Sequence, residues 1–175
     1  MIDLAQRLTA ADHAQTLEGT SSLESDQTQA ASSSSMRAAI ISLGGTLFTI
    51  DLKNVREVFI VESITPVPGM PSGLVGVTNL RGTVIPLLDL RPMFGLSAET
   101  ALRHAVLAQH GNRQVGVLVD SVPEIRTIAK DEFLPAPSGP GGGTVPFVST
   151  VVKLEDRLRG VLETSMLLSH FEETN

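Results

Sequence analysis

The 175-residue chain contains no cysteine, no tryptophan and no tyrosine, and aromatic residues make up only 3% of it. Without thiols there is no disulfide framework, no thiolate nucleophile and no zinc site built on thiolates. A core must then come from Val, Ile, Leu, Met and six Phe, and a hydrophobic content of 42% is enough to build one. Long apolar runs are also missing. No stretch approaches the roughly 20 residues that a membrane-spanning helix needs. Residues Met1 to Ala11 include Asp3 and lack the basic start and apolar run of a secretory signal. The expectation is a cytoplasmic protein with no direct membrane insertion. Basic excess is absent as well: the formal net charge is −6. Residues 1–36 hold five acids and one base, a net −4, leaving −2 for residues 37–175 with fourteen acids and twelve bases. A surface that tracks phosphates needs a net basic stripe, so nucleic acid is not an expected partner.

The composition divides the chain. Ile2, Leu4, Ala5 and Leu8 can share one face of a short helix, and residues 16–35 are then Ser, Thr, Gln, Ala and acids, ending in Ser32 to Ser35. A segment with so little to bury cannot offset its ordering entropy, so residues 1–36 are expected to be a disordered or weakly helical acidic tail. From Arg37 onward the pattern changes to short β-type runs separated by turn residues. Gly44-Gly45, Arg81-Gly82 and Gly111-Asn112 each separate two such runs and predict hairpins. Pro86 predicts a sheet edge or a bulge, and Pro123 an edge, because proline donates no ladder hydrogen bond. Asp89 is expected to cap a short helical turn that carries Pro92 and ends at Gly95. Residues 135–146, with four Pro and four Gly, predict a loop. A hairpin over Phe147–Leu154 and Leu158–Leu162 precedes a short closing helix, Ser165–Phe171, capped by Thr164. About ten strands result, with no long helix between them and no visible internal repeat, which points to small all-β barrels.

Catalytic signatures are scarce. Gly139–Gly143 lacks the Lys-Ser/Thr of a phosphate loop, and no Gly-x-Ser-x-Gly elbow occurs. His13, His104, His110 and His170 have no ligand spacing. Glu57, Asp89, Asp120 and Glu124 lie in or at the ends of strands but form no evident acid–base pair. No catalytic residue, cofactor or metal is expected.

One stretch is informative, Gly76-Val-Thr-Asn-Leu-Arg-Gly-Thr-Val-Ile-Pro-Leu-Leu-Asp-Leu-Arg91. Gly82 serves the turn, Pro86 the bulge and Asp89 the cap, while Arg81 has no local task. The segment resembles the CheW family, the coupling proteins of bacterial chemotaxis arrays, through Asn79-Leu80-Arg81-Gly82, Pro86 and Asp89-Leu90-Arg91. The likeness extends from about Ala39 to Leu168 and includes Val55-x-Glu57-Val58, Val115-Gly116-x-x-Val119-Asp120 and Phe133-x-Pro135.

This resemblance implies an all-β fold of two intertwined five-stranded SH3-like barrels, roughly 37–88 plus 147–171 and 89–146, within a domain spanning 37–171. It further implies a non-catalytic adaptor between the cytoplasmic tip of methyl-accepting chemoreceptors and the regulatory domain of a CheA-type histidine kinase, located at membrane-associated receptor arrays. Candidate binding residues carried over from the family are Val55, Glu57, Gly76, Asn79 and Arg81. Gly76 would let a receptor helix approach closely, and Arg81 would pair with Glu57 across adjacent strands. A paralogous scaffold of another chemosensory pathway, serving type IV pilus motility or surface sensing, is the nearest alternative. An enzyme would need two acids converging in an open pocket, and a nucleic-acid binder a salt-dependent affinity that this charge distribution does not foretell. A fused receiver domain is not expected, because only a short helix follows the last strand.

Overall fold

The computed structural model describes residues 35–98, 101–136 and 145–172. The expected tail lies outside these residues, except that Ser35 and Met36 already belong to the first strand. Strands run as β1 (Ser35–Leu43), β2 (Thr46–Asp51), β3 (Val55–Ile60), β4 (Leu74–Leu80), β5 (Thr83–Leu88) and β6 (His104–His110). They continue as β7 (Arg113–Val119), β8 (Glu124–Ala129), β9 (Phe133–Pro135), β10 (Val148–Leu154) and β11 (Arg157–Leu162), followed by helix α1 (Thr164–Glu172). The three glycine-containing turns join β1 to β2, β4 to β5 and β6 to β7 in antiparallel pairs. Gly44 and Gly45 have φ of 55° and 77°, a left-handed pair that residues with a Cβ adopt only with strain.

The strands form two mixed sheets, a six-stranded one in the order β8-β1-β2-β11-β10-β9 and a five-stranded one in the order β3-β6-β7-β5-β4. This corrects the expected grouping of 37–88 with 147–171. β3, β4 and β5 hydrogen-bond with β6 and β7, whereas β1 and β2 join β8 to β11. The reason is two long-range parallel pairings, β5 with β7 and β2 with β11, which no local turn signal announces. The two sheets repeat one pattern. In each, an outer strand pairs with a hairpin, whose second strand runs parallel to the second strand of another hairpin. The sequence conceals this because β1 and β2 open the described chain while their sheet-mates β8 to β11 close it.

Ile41 and Ile50 from one sheet, Val106 and Val117 from the other, and Leu167 from α1 share a single buried cluster. Fully burying an aliphatic side chain of this size contributes about 1.5–3 kcal/mol. Such contacts are what hold α1, since a helix of 9 residues is too short to persist alone. Thr164 opens this helix, but its hydroxyl is buried and makes no hydrogen bond among the described residues, so the expected cap does not form.

Pro86 is not on an edge strand, because β5 lies between β4 and β7. Its missing N–H is accommodated because the register with β7 starts at Leu87, one residue later. Asp89 is not a helix cap either. The short 3-10 turn Pro92–Phe94 has Arg91 at its cap position, and Asp89 instead accepts from the Arg91 backbone N–H at 3.1 Å. The Arg91 guanidinium closes on the same carboxylate through Nε at 3.0 Å and Nη2 at 2.8 Å, with both side chains nearly inaccessible.

Asp120, just past β7, fastens the β1–β2 hairpin to the other sheet. Its carboxylate accepts from the Ser42 hydroxyl at 2.7 Å and from the Gly44 and Gly45 N–H groups at 3.0 and 2.8 Å, while its own N–H donates to the Ser42 carbonyl. Partial burial pushes the carboxyl pKa up. The hydrogen bonds from Gly45, Ser42 and Gly44, together with the Arg91 charge, outweigh that and hold it below its ordinary range. A carboxyl depressed on folding contributes stability above its unfolded pKa of about 3.9, and that contribution fades as pH falls through the folded value. Asp120→Asn is therefore expected to cost about 1–2 kcal/mol at pH 7. In urea titrations the gap between variant and wild type should narrow steadily below pH 4. A gap that stays constant down to pH 2 would contradict this role.

Candidate functional site

The site is built around the β4–β5 turn. Arg81 and Gly82 have φ of 52° and 87°, so the turn is of the left-handed hairpin type, with an arginine where Asn or Gly is the usual occupant. A non-glycine residue held there costs about 1–3 kcal/mol and persists only where its surroundings fix it. Asn79 helps to fix it: its side-chain oxygen accepts from the Gly82 N–H at 2.7 Å. Asn79, expected among the binding residues, thus has a structural task in shaping the turn, as Gly82 does.

Glu57 provides the second restraint. The Arg81 guanidinium meets the Glu57 carboxylate in a two-point contact, Nη2 to Oε2 at 2.9 Å and Nη1 to Oε1 at 3.1 Å. The expected geometry, pairing across adjacent strands, is corrected. Glu57 lies on β3 and Arg81 follows β4, the two outermost strands of the five-stranded sheet. In a flat sheet the four strand spacings between them, at about 4.8 Å each, would set them about 19 Å apart. The sheet therefore curls into a half-barrel, and this pair spans its mouth. A two-residue bridge alongside completes the curl, with Thr65 and Val77 exchanging N–H···O bonds of 2.8 and 2.9 Å.

Curling also explains Gly76. A Cβ added there would sit 2.5 Å from the Thr65 carbonyl oxygen and 2.8 Å from Ile64 Cγ2, at a φ of 150°. The residue is small because the chain's own segment crosses over it, which replaces the expected approach of a receptor helix as the reason for glycine. Val55 is half-buried and packs against the main core. Arg81 itself is open to solvent, with 77% of its side chain accessible against 29% for Glu57. Together with Arg56, Leu80, Thr83 and Gln114 the pair lines a polar cleft of about 370 Å³. Aliphatic side chains are exposed on the flanking strands, including Val58 and Ile60 on β3, Val75 on β4 and Val84 on β5.

The arrangement offers recognition rather than reaction. Each of the four candidate carboxylates is held by donors: Glu57 by Arg81, Asp89 by Arg91, Asp120 by three hydrogen bonds, and Glu124 by Arg126, which it shares with Glu155. No group of three or more His, Asp or Glu is placed to hold a metal ion among the described residues. No helix among them is long and apolar enough to cross a membrane. A rigid ion-paired turn beside exposed aliphatic strands defines a protein-docking scaffold.

Residues 37–172 match the model of the CheW-like domain. The chain belongs to the CheW family, whose members are scaffolds without catalysis. It is 33% identical over 123 residues to the chemotaxis protein CheW of Rhizobium meliloti, an alignment covering 69% of this chain and 79% of that protein. It is also 33% identical over 102 residues to the protein FrzA of Myxococcus xanthus, covering 55% and 62%. Among solved structures, the scaffolding protein TtCheW of Thermoanaerobacter tengcongensis superposes with a TM-score of 0.64 at 28% identity, covering 72% of this chain and 87% of the other.

Sequence reasoning missed one constellation entirely. Arg126 on β8 binds Glu124 at 2.8 Å and Glu155, in the β10–β11 turn, at 3.0 Å. Its only sequence signal is the Leu154-Glu-Asp-Arg157 turn, which sits between two β-type runs as Leu80-Arg-Gly-Thr83 does.

Proposed function

We propose that the protein is a cytoplasmic adaptor that couples the tips of chemoreceptors to the regulatory domain of a CheA-type histidine kinase, at membrane-associated receptor arrays. The observation that carries this reading is the Arg81 turn. An arginine in a strained left-handed conformation, fixed by Asn79 and by Glu57 across the mouth of the half-barrel, makes little contribution to folding. Strain of that kind is retained where a surface must keep one shape for a partner. Val55, Glu57, Gly76, Asn79 and Arg81 then act as a unit: Arg81 and Glu57 present charge, and the other three hold the turn and the curl in place. The exposed aliphatic side chains beside them supply area for a receptor helix or a kinase strand. Two SH3-like barrels, each built on one of the two sheets, are the architecture we assign to this scaffold.

Affinity purification of the tagged full chain from its native cells tests the reading. Chemoreceptors and a histidine kinase should co-purify, and both should be depleted with Arg81→Ala. Recovery of neither from cells that express both would refute it. The identity of the co-purifying receptor also separates a chemotaxis array from a pilus-motility or surface-sensing pathway.

A further inference from the structure

β3 is irregular where it enters the Arg81 cleft. Val55 pairs with Ala108 and Glu57 with Leu107, so Arg56 and Glu57 together stand opposite one residue of β6. This is a β-bulge, an added residue that re-aims the side chains around it. Its effect shows in the packing. Val55 meets the main core, whereas Glu57, which a regular strand would place on the same face, lines the cleft. Arg56 lines the cleft as well, so two consecutive residues reach a surface to which regular alternation would send only one.

The two are not equivalent. Glu57 is committed to its two-point contact with Arg81. Arg56 is exposed, and its side chain makes no ion pair or hydrogen bond among the described residues. Of the residues that line the cleft, only Arg56, Glu57 and Arg81 carry charge, two cations against one anion. Gln114 adds none, and its amide donates to Gln109 at 3.1 Å. An arginine turned to the opposite face of β3 would leave the cleft neutral; the bulge leaves it with one positive charge in excess. β3 is also an outer strand, laddered to β6 alone, with Val58 and Ile60 exposed along it. An open strand edge with aliphatic side chains beside it fits another strand better than a helix.

We infer that Arg56 is a specificity residue of the Arg81 cleft, and that it takes an Asp or Glu side chain from an edge strand of the kinase regulatory domain docked along β3. The partner strand lays aliphatic side chains over Val58 and Ile60, and its carboxylate meets Arg56 while the Arg81–Glu57 pair stays intact beside it. A carboxylate cancels the excess charge; a neutral side chain would cover Arg56 without an anion, and a basic one would add repulsion. The inference rests on the kinase half of the function proposed above and adds the charge of the residue that the kinase presents.

Isothermal titration calorimetry of the full chain against the regulatory domain of the kinase recovered with it tests this. Arg56→Gln should weaken affinity about tenfold and Arg56→Glu about a hundredfold, with Arg56→Lys within about threefold of wild type. Each variant should keep the wild-type urea midpoint, and binding by Arg56→Gln should depend less on salt than wild-type binding does. Replacing the exposed acids of the kinase domain by lysine, one at a time, should find a position that weakens wild-type binding and restores binding to Arg56→Glu. Wild-type affinity in both Arg56→Gln and Arg56→Glu, with Arg81→Ala weakened, would overturn this inference and leave the proposed function standing. Failure of every lysine substitution to restore Arg56→Glu would also overturn it. No binding by the wild-type chain would overturn both this inference and the kinase half of the proposed function.

Discussion

Asp89→Ala is expected to destabilise the protein by about 3–5 kcal/mol, the range for removing one partner of a buried ion pair. Asp89 and Arg91 are separated by one residue, sit where β5 leaves the sheet, and have side chains only 10% and 5% accessible. Removing the carboxylate strands a guanidinium that the fold encloses, and it also takes away the acceptor of the Arg91 backbone N–H. The hydrogen bond to Asp89 raises the Arg91 pKa further, so this group cannot escape by losing its proton. Arg91→Ala should cost at least as much. Its side-chain stem packs within 3.7 Å of where a Gly44 Cβ would lie, and its charge also supports Asp120. Replacing both residues by apolar ones of similar volume should recover much of the loss, because two desolvation costs disappear together. Urea denaturation of the two single variants and the double variant measures this. A single-variant loss below about 1 kcal/mol would show the pair to be solvated.

Gly76→Ala is expected to cost about 2–5 kcal/mol, combining an unfavourable φ with overpacking against backbone. The atom in the way is the Thr65 carbonyl oxygen, 2.5 Å from the added Cβ, which cannot rotate aside as a side chain would. The sheet must either lose the Thr65–Val77 bridge or shift β4 at its irregularity between Leu74 and Gly76. Hydrogen exchange should show lost protection at the Thr65 and Val77 amides before any global change. The mouth of the half-barrel would widen with it, so the Arg81–Glu57 contact should weaken too. A variant with wild-type stability and unchanged protection at Thr65 would contradict this account of the glycine.

Local chemistry was legible where one or two residues dictate it. Gly44-Gly45, Arg81-Gly82 and Gly111-Asn112 announce hairpins, and these form with antiparallel registers. The non-local pairings were not legible. The partner of β3 is β6 and that of β2 is β11, choices made by burial of alternating faces across the whole chain rather than by any turn. The sequence suggests pairing Glu57 with Arg81 only on the premise that their strands are neighbours. The contact instead depends on curvature, which only the assembled sheet reveals. Gly76 and Asp89 carry the same lesson. A glycine reads as room for a partner and an aspartate before a turn as a cap, until the Ile64–Thr65 crossing and the Arg91 guanidinium are seen. The circular rearrangement that places β1 and β2 ahead of β8 to β11 hid the equivalence of the two sheets, and with it the Arg126–Glu155 contact.

In the function proposed above, the Arg81 turn serves recognition and not folding. Titration of a chemoreceptor tip fragment and of a kinase regulatory domain against wild type and Arg81→Ala tests it most directly, with stability measured on the same samples. The account predicts stability within about 1 kcal/mol of wild type and affinity for at least one partner weakened about tenfold or more. A folded variant that binds both partners as tightly as wild type would contradict it.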